Sequence, residues 1–338
     1  MSGFVVIGEN IHCTRIVKLG GKHTTELPGG GAGVAFRYEQ EDRVLPIPPD
    51  WGEVSGDLAG GKVRHIALAV HQAMNGAGED RPAGEAYLLH AARRQVDAGA
   101  RFLDVNVDEY SNDPDRRAEA MRWLAGFLSQ SLDVPLSIDS SSRDTLVAGL
   151  ESCRKEAARA MVNSVSLERV EYVDVIRQFD TEAIVSAAGR EDLPTDVDGR
   201  IANFRKIIAR LDEAGVPRES MHLDPLVFPV STEPTHGRTF LAATAEAKKR
   251  FEGVKLSGGL SNVSLGMPRR KLLNAVFVRL CVQAGTDSGL LDPVQTPPEA
   301  IAAMDAASEP FRLARAFLTG EDVFGTEFIA AHRQGRLG

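Results

Sequence analysis

Short apolar runs alternate along the chain with longer stretches in which apolar residues recur every three or four positions. The short runs predict buried strands and the longer stretches predict amphipathic helices, and their alternation is typical of parallel βαβ units. The eight candidate strands are FVVIGE from Phe4, FLDVNV from Phe102, PLSIDS from Pro135, AMVNSVS from Ala160, AIVSAAG from Ala183, MHLDPL from Met221, VKLSGGL from Val254 and GLLDP from Gly289.

Helix-like stretches lie between these strands, and several of them begin with Pro or Asp near the first turn, which suits a helix start. They cover residues 83–98, 114–131, 143–153, 196–214, 235–251, 268–284 and 297–318. Eight strands with intervening helices favour a closed (β/α)8 TIM barrel over an open doubly wound sheet. We therefore predict an α/β protein with one barrel domain over residues 1–338.

One segment breaks the alternation. Residues 13–82 separate the first strand from the first barrel helix, far beyond the usual connection of about 2 to 6 residues, and we predict that they are an insertion. Within it, LPGGGAGVAFRYEQ followed by DRVLPIPPDW indicates a hairpin opened by glycines, and KVRHIALAVHQAMNG indicates an extra helix. Because the insertion follows a barrel strand, we expect it at the catalytic face.

Composition narrows the class of protein. The hydrophobic content is 43%, the charged content is 25% and the net charge is -8, which is ordinary for a globular protein and argues against a nucleic-acid surface. No apolar run of about 18 residues predicts a membrane span. The three cysteines form no C-x-x-C pair and MSGFVVIGEN does not read as a signal peptide, so we expect a cytoplasmic protein.

Polar residues stand where most of the predicted strands end. They are Asp104, Asn106, Asp139, Asn163, Asp224 and Asn262, the last within GGLSNVS. A carboxylate accepts two parallel hydrogen bonds from an amino-substituted heterocycle, and an Asn pairs with a neighbouring ring nitrogen and carbonyl, so this set suits a pterin or purine edge. A metal site would favour His or clustered Glu. His12 and Cys13 are adjacent and have no third ligand nearby, so we predict no bound metal.

The chain resembles the pterin-binding methyltransferases that use methyltetrahydrofolate, including the methyltransferase that acts on a corrinoid protein and the folate domain of cobalamin-dependent methionine synthase. The resemblance spans most of the barrel. It is carried by IGEN at 7–10, LDVNV at 103–107, IDSSS at 138–142, VNSVS at 162–166, LDPL at 223–226 and GLSNVSLGMPRRKLLNAVF at 259–277.

The resemblance implies a role for each matched residue. Asp139, Asn163 and Asp224 would hold the pterin, with Asp104 and Asn106 as further candidates for the same surface. Asn262 would hydrogen-bond near the pterin nitrogen that carries the methyl group, as the catalytic residue. Arg270 would face the aminobenzoyl-glutamate tail.

The same resemblance implies that tetrahydrofolate or 5-methyltetrahydrofolate is the substrate. The other methyl carrier would be the cobalt of a corrinoid, a cobalamin-type cofactor, on a separate partner protein, and we expect no nucleic-acid or membrane partner. Members of the family often form homodimers, so we expect one here.

The sequence also departs from the family. The first strand of relatives usually has an Arg followed two residues on by Asn, whereas Asn10 and His12 stand here, and AIVSAAGREDLP lacks the polar pair that relatives carry after the fifth strand. Two alternatives therefore stay open. One is dihydropteroate synthase, although the Asn-x-Thr-Pro-Asp-Ser segment expected after its first strand is absent. The other is a folate-binding or corrinoid-protein-docking subunit without catalysis.

Overall fold

A computed structural model describes residues 3–28, 30–154 and 158–337, apart from the side chains of Glu53 and Val54. Gly29, part of the glycine-rich opening predicted for the hairpin, lies outside the described residues, as do both ends of the predicted 1–338 domain. No helix among the described residues is both long enough and apolar enough to cross a bilayer.

Eight parallel strands form one sheet. In their order across the sheet they are β12 (Lys255–Leu256), β11 (Met221–Asp224), β10 (Glu182–Ser186), β9 (Met161–Val165), β8 (Leu136–Asp139), β7 (Ala100–Asn106), β1 (Val5–His12) and β13 (Ser288–Leu291). A parallel bridge between Gly259 and Leu290 joins the two ends of this order. The predicted (β/α)8 barrel is confirmed, and each strand matches one of the eight apolar runs.

Helices fill the connections between the strands, as predicted for βαβ units. They are α2 (His65–Asn75), α3 (Asp80–Asp97), α4 (Pro114–Ser131), α5 (Arg143–Ser152), α6 (Tyr172–Phe179), α7 (Val197–Glu213), α8 (His236–Arg250) and α9 (Arg270–Ala284). The last strand is followed by α10 (Pro298–Ala302), α11 (Glu309–Leu318) and α12 (Thr326–Arg333). A one-turn helix, α1, covers Trp51–Val54.

Two helix predictions were incomplete. The helix predicted over 297–318 is two helices, because Pro310 lies in the first turn of α11 and cannot continue a helix from α10. The break is stabilised by Asp305, whose side chain accepts a hydrogen bond from the backbone N–H of Ala307 at 2.9 Å. Helix α6 was missed, although the parallel pair β9 and β10 requires a crossover between them.

Contacts divide the chain into two compact units. Unit 1 comprises 1–8, 98–101 and 161–338, and unit 2 comprises 9–97 and 102–160. The core of unit 1 is rich in aromatic side chains, and its fully buried members include Phe204, Phe240, Phe277, Phe317 and Phe328. Burial of such rings is the main favourable contribution to the stability of this unit.

In unit 2 the predicted insertion forms two small sheets and a helix. One sheet is the antiparallel ribbon of β2 (Ile16–Lys18) and β6 (Lys62–Arg64), and the other contains β3 (Thr24–Glu26), β4 (Ala32–Tyr38) and β5 (Glu41–Pro46). The hairpin of β4 and β5 and the helix α2 lie in this segment, whose description as an insertion at the catalytic face stays a prediction.

The three-stranded sheet packs on α3, where Phe36 meets Tyr87 edge to face with ring centroids 4.9 Å apart. The ribbon reaches the loop after β7 through Arg64, whose guanidinium donates to the carboxylate of Glu109 at 2.5 Å. The carboxyl end of a barrel strand is where catalytic loops begin. We therefore keep the prediction that the insertion reaches the catalytic face for the ribbon.

At the opposite, amino-terminal ends of the strands, unit 1 contains a buried ionic network. His222 of β11 lies between Glu182 of β10 and Ser288 of β13, with Nε2 2.6 Å from the carboxylate and Nδ1 2.7 Å from the hydroxyl. The ammonium of Lys255 donates to the same carboxylate at 2.9 Å. Although burial acts in the other direction, these partners lower the pKa of Glu182 to about 2.

We predict that Glu182→Gln destabilises the protein by about 2 kcal/mol at pH 7, because charge-assisted hydrogen bonds to His222 and Lys255 are lost. A carboxyl group whose pKa is lowered by folding stabilises the fold above its unfolded pKa, so the deficit of the variant shrinks as pH falls from 4.5 toward about 2. Urea unfolding between pH 3 and 7 measures this, with the exposed Glu219→Gln as the matched control. If the loss of stability in the variant did not change with pH, the carboxyl group of Glu182 would not be ionised in the folded protein.

Candidate active site

The polar residues singled out in the sequence lie at the carboxyl ends of the parallel strands, the end at which barrel enzymes carry their active sites. In unit 2, Asp139 ends β8, and Asp104 and Asn106 lie near the end of β7. In unit 1, Asn163 lies in β9, Asp224 ends β11, and Asn262 follows β12. Asp139 and Asp224 end their strands, whereas Asn163 is the third of the five residues of β9 and Asn262 lies in a 3-10 helix after β12. That these residues bind a ligand stays a prediction.

In unit 2, Asp139 is oriented by Asn106. The parallel register pairs these two residues, and the amide nitrogen of Asn106 donates to Oδ2 of Asp139 at 2.9 Å. The amide oxygen of Asn106 accepts from the backbone N–H of Asp108 at 3.0 Å. Asn106 therefore holds both the turn after β7 and the carboxylate of Asp139.

The carboxyl group of Asp139 titrates far from its ordinary range. Burial raises its pKa, and the negative charge of Asp104 adds to the effect, whereas His12 and the hydrogen bond from Asn106 act in the opposite direction. The result is a pKa of about 7. Asp139 therefore changes charge near neutral pH, which is typical of functional sites.

Asp104 is fully buried, and its Oδ2 lies 2.8 Å from Nε2 of His12, the last residue of β1. Burial lowers the pKa of His12, but the hydrogen bond and the charge of Asp104, with the charge of Asp139, outweigh it and raise that pKa above its usual value. The pair is therefore an ion pair whenever His12 is protonated. Asp104 therefore acts on the charge of both His12 and Asp139.

Among the described residues, His12, Asp104 and Asp139 are the one group whose candidate ligand atoms lie within 4.8 Å of one another. Nε2 of His12 is already in a hydrogen bond with Asp104. This hydrogen bond explains why the side chains lie close together without a metal ion. The absence of a bound metal stays a prediction.

In unit 1, the carboxylate of Asp224 accepts a hydrogen bond from the backbone N–H of Leu226 at 2.8 Å. Burial raises the pKa of Asp224 to about 6, although this hydrogen bond and the charge of Arg200 lower it. Asp224 is therefore a second carboxyl group at a strand end that titrates close to neutral pH.

Arg200 is the buried cation beside Asp224. Its side chain is fully buried in the first turn of α7, stacks on the ring of Phe228 at 5.4 Å and donates Nε to the carbonyl of Pro194 at 3.3 Å. Both terminal nitrogens lack a hydrogen-bond partner within the described part of the chain. Its contribution to the site is therefore electrostatic, through the charge of Asp224.

The GGLSNVS segment forms a 3-10 helix over Leu260–Ser264 directly after β12. A Cβ on Gly258 would lie 2.8 Å from the ring of Phe240, and a Cβ on Gly259 would lie 2.9 Å from the amide nitrogen of Asn262. The glycines are thus required for packing and to leave room for Asn262. The side chain of Asn262 is exposed, so its amide can reach a ligand.

Arg270 fixes the start of α9 to this segment. Its Nε donates to the hydroxyl of Ser264 at 3.1 Å and its Nη2 to the carbonyl of Ser261 at 3.0 Å. The hydroxyl of Ser264 donates in turn to Oδ1 of Asn274 at 2.6 Å. Arg270 is exposed, and contact of its remaining nitrogen with a folate tail stays a proposal.

The sequence interpretation missed two residues with clear electrostatic roles. His12 was considered as a zinc ligand together with Cys13 and as a departure from the family, whereas the structure pairs it with Asp104. Arg200 precedes Phe204, Ile207 and Leu211 on the buried face of α7 at helical spacing. That periodicity could have placed Arg200 inside the fold.

A comparison with protein families matches residues 84–292 to the model described as pterin binding enzyme. The match covers more than half of the chain and includes the strands β7 to β13. The chain belongs to the pterin-binding enzyme family. The first strand and the insertion precede the matched range.

Similarity to individual proteins agrees with this family. The chain is 28% identical over 260 residues to a methylcorrinoid:tetrahydrofolate methyltransferase of Eubacterium limosum, covering 75% of this chain and 90% of the relative. The resemblance to pterin-binding methyltransferases is thereby confirmed.

Solved structures of dihydropteroate synthases are similar in fold to this pterin-binding enzyme. The enzyme from Stenotrophomonas maltophilia, solved with active site-bound imidazole, aligns with a TM-score of 0.53 at 17% identity, covering 67% of this chain and 87% of that one. The enzyme from Xanthomonas albilineans aligns with a TM-score of 0.52 at 19% identity, covering 64% and 84%. At these identities the likeness shows the fold alone.

For this pterin-binding enzyme we predict that Arg200→Met raises the pKa of Asp224 by about one unit, because a nearby cation that favours the carboxylate is removed. The free energy of unfolding should stay within about 1 kcal/mol or rise, since a buried guanidinium lacking partners is replaced by an apolar side chain of similar volume.

Carboxyl-carbon NMR titration and thermal unfolding measure the two effects. The exposed Arg205→Met, on the same helix, is the matched control. An unchanged Asp224 titration would contradict the electrostatic role of Arg200.

Proposed function

We propose that this chain transfers a methyl group between tetrahydrofolate and the cobalt of a corrinoid carried by a separate protein. The exposed amide of Asn262 carries the proposal, because it follows β12 in a segment whose packing leaves that one side chain reaching outward. The similarity to a methylcorrinoid:tetrahydrofolate methyltransferase supports the same reaction.

The pterin ring would be bound by the strand-end residues named above. Its amino-pyrimidine edge carries two parallel hydrogen-bond donors, which an ionised carboxylate accepts with both oxygens. Asp139 and Asp224 supply such carboxylates, and Asn163 adds an amide that both donates and accepts. Asn106 orients Asp139, and Asp104 acts on the charge of both His12 and Asp139.

The corrinoid would supply the cobalt that holds the methyl group after transfer from folate. In that direction the bond between the methyl carbon and N5 of the pterin breaks, its electron pair stays on N5, and N5 gains a proton. Asn262 would donate a hydrogen bond to N5 as this electron pair develops. An interaction that strengthens only as the bond breaks raises the rate more than it raises the affinity.

The fold alone does not separate this function from dihydropteroate synthase, because solved structures of that enzyme share it. Asn262 favours the methyltransferase, since a group placed to contact N5 serves methyl transfer from that nitrogen. The same residue favours an enzyme over a binding subunit. The homodimer expected for the family stays a prediction.

We predict that Asn262→Ala lowers the rate of methyl transfer from 5-methyltetrahydrofolate to free cob(I)alamin by about 100-fold. Folate affinity should fall by no more than about tenfold, the effect of one neutral hydrogen bond. Stopped-flow spectroscopy gives the rate and calorimetric titration gives the affinity. The exposed loop residue Asn112, replaced by Ala, is the matched control.

Equal losses of rate and affinity in Asn262→Ala would contradict the catalytic role. Preference of the unaltered protein for 6-hydroxymethyl-dihydropterin pyrophosphate over 5-methyltetrahydrofolate would favour dihydropteroate synthase. Tight folate binding without transfer to any corrinoid acceptor would favour a binding subunit.

A further inference from the structure

We propose that His12 is a positioning residue that, together with Asp104, controls whether Asp139 carries the negative charge needed to bind the pterin ring. The inference rests on the proposed function for its ligand, but the charge control itself is a property of the free protein. It involves three adjacent strand ends of unit 2, which belong to β1, β7 and β8.

The geometry places the three side chains in one cluster. Nε2 of His12 and Oδ2 of Asp104 are 2.8 Å apart, and one polar side-chain atom from each of His12, Asp104 and Asp139 lies within 4.8 Å of the other two. Asp104 is fully buried, whereas part of the His12 side chain, 18%, is exposed. A proton on His12 can therefore exchange with solvent, while the charge of Asp104 is screened very little.

Two charges of opposite sign therefore act on Asp139. The carboxylate of Asp104 opposes ionisation of Asp139 and the imidazolium of His12 favours it. Two buried carboxylates this close do not ionise together readily without a cation between them. His12 is that cation, so its protonation and the ionisation of Asp139 are coupled.

Other charged groups near the cluster have partners of their own. Asp108, which also opposes ionisation of Asp139, accepts hydrogen bonds from the hydroxyl of Ser140 at 2.6 Å and from the backbone N–H of Ser141 at 2.8 Å. Arg15, which lowers the pKa of His12, is paired with Glu9 at 2.9 Å. His12 and Asp139 are thus the two groups of the cluster whose protonation is coupled.

The charge state of Asp139 decides what it can recognise. An ionised carboxylate offers two acceptors to the amino-pyrimidine edge of a pterin, whereas the protonated acid has one oxygen acting as a donor. An Asn in place of His12 could not carry a charge. His12 therefore gives this chain a dependence of folate binding on pH that an Asn would not provide.

The test compares His12→Asn with Asp104→Asn. Removing the imidazolium should raise the pKa of Asp139, and removing the buried carboxylate should lower it, each by about one unit. Carboxyl-carbon NMR of the free protein reports this titration directly. Calorimetric titration with 5-methyltetrahydrofolate between pH 5.5 and 8.5 should show the midpoint of binding moving in the same directions, upward for His12→Asn and downward for Asp104→Asn.

His332→Asn, the same change on the remote helix α12, is the matched control and should leave both midpoints unchanged. A purely structural role for His12 would weaken binding without moving either midpoint, and that result would overturn the inference. Shifts of equal sign in the two variants would overturn it as well.

A different result would contradict the proposed function without contradicting the charge control. If the unaltered protein binds no folate at any pH, the proposed function and the pterin part of this inference are both wrong. An Asp139 titration that still responds to both substitutions would then show that the charge control is real and serves another ligand.

Discussion

The half-buried carboxyl groups at the carboxyl ends of the barrel strands are the constraint on which the site depends. Asp139 and Asp224 are partly removed from water, and this desolvation raises the pKa of each. A carboxyl group whose pKa is raised by folding destabilises the fold as pH rises through that window. The fold therefore holds two groups that reduce its stability at neutral pH, and a ligand with matching donors would relieve this cost.

In unit 1, carboxyl groups at the two ends of the strands have pKa values shifted in opposite directions. At the amino-terminal ends, Glu182 is neutralised by His222 and Lys255, and its pKa is lowered to about 2. At the carboxyl end, Asp224 has a cation nearby but no ion pair, because Arg200 is buried against Phe228. This contrast matches the division of barrel enzymes into a stability face and a catalytic face.

Much of the fold followed from periodicity, because every strand of the parallel sheet is a short apolar run with a polar residue at or near its end. The positions of Asp139 and Asp224 were predictable for the same reason. The partners of these residues were not, since His12 and Asp104 are 92 positions apart and meet only in the folded sheet.

Some features could not be read from the sequence pattern. The single helix predicted over 297–318 ignored the effect of Pro310. In GGLSNVS, Gly258 packs against Phe240 and Gly259 leaves space for Asn262, and both contacts exist only in the folded chain. Two nitrogens of Arg270 bond the adjacent loop, and contact of this residue with a folate tail stays a proposal.

The central claim is that folate binds to carboxylates that are partly protonated in the free protein. Calorimetric titration with 5-methyltetrahydrofolate at pH 6.5, repeated in buffers of different ionisation enthalpy, counts the protons released on binding. With a pKa of about 7 for Asp139, we predict release of most of one proton per folate, falling toward zero by about pH 8.5. Binding without proton release at pH 6.5 would contradict this account.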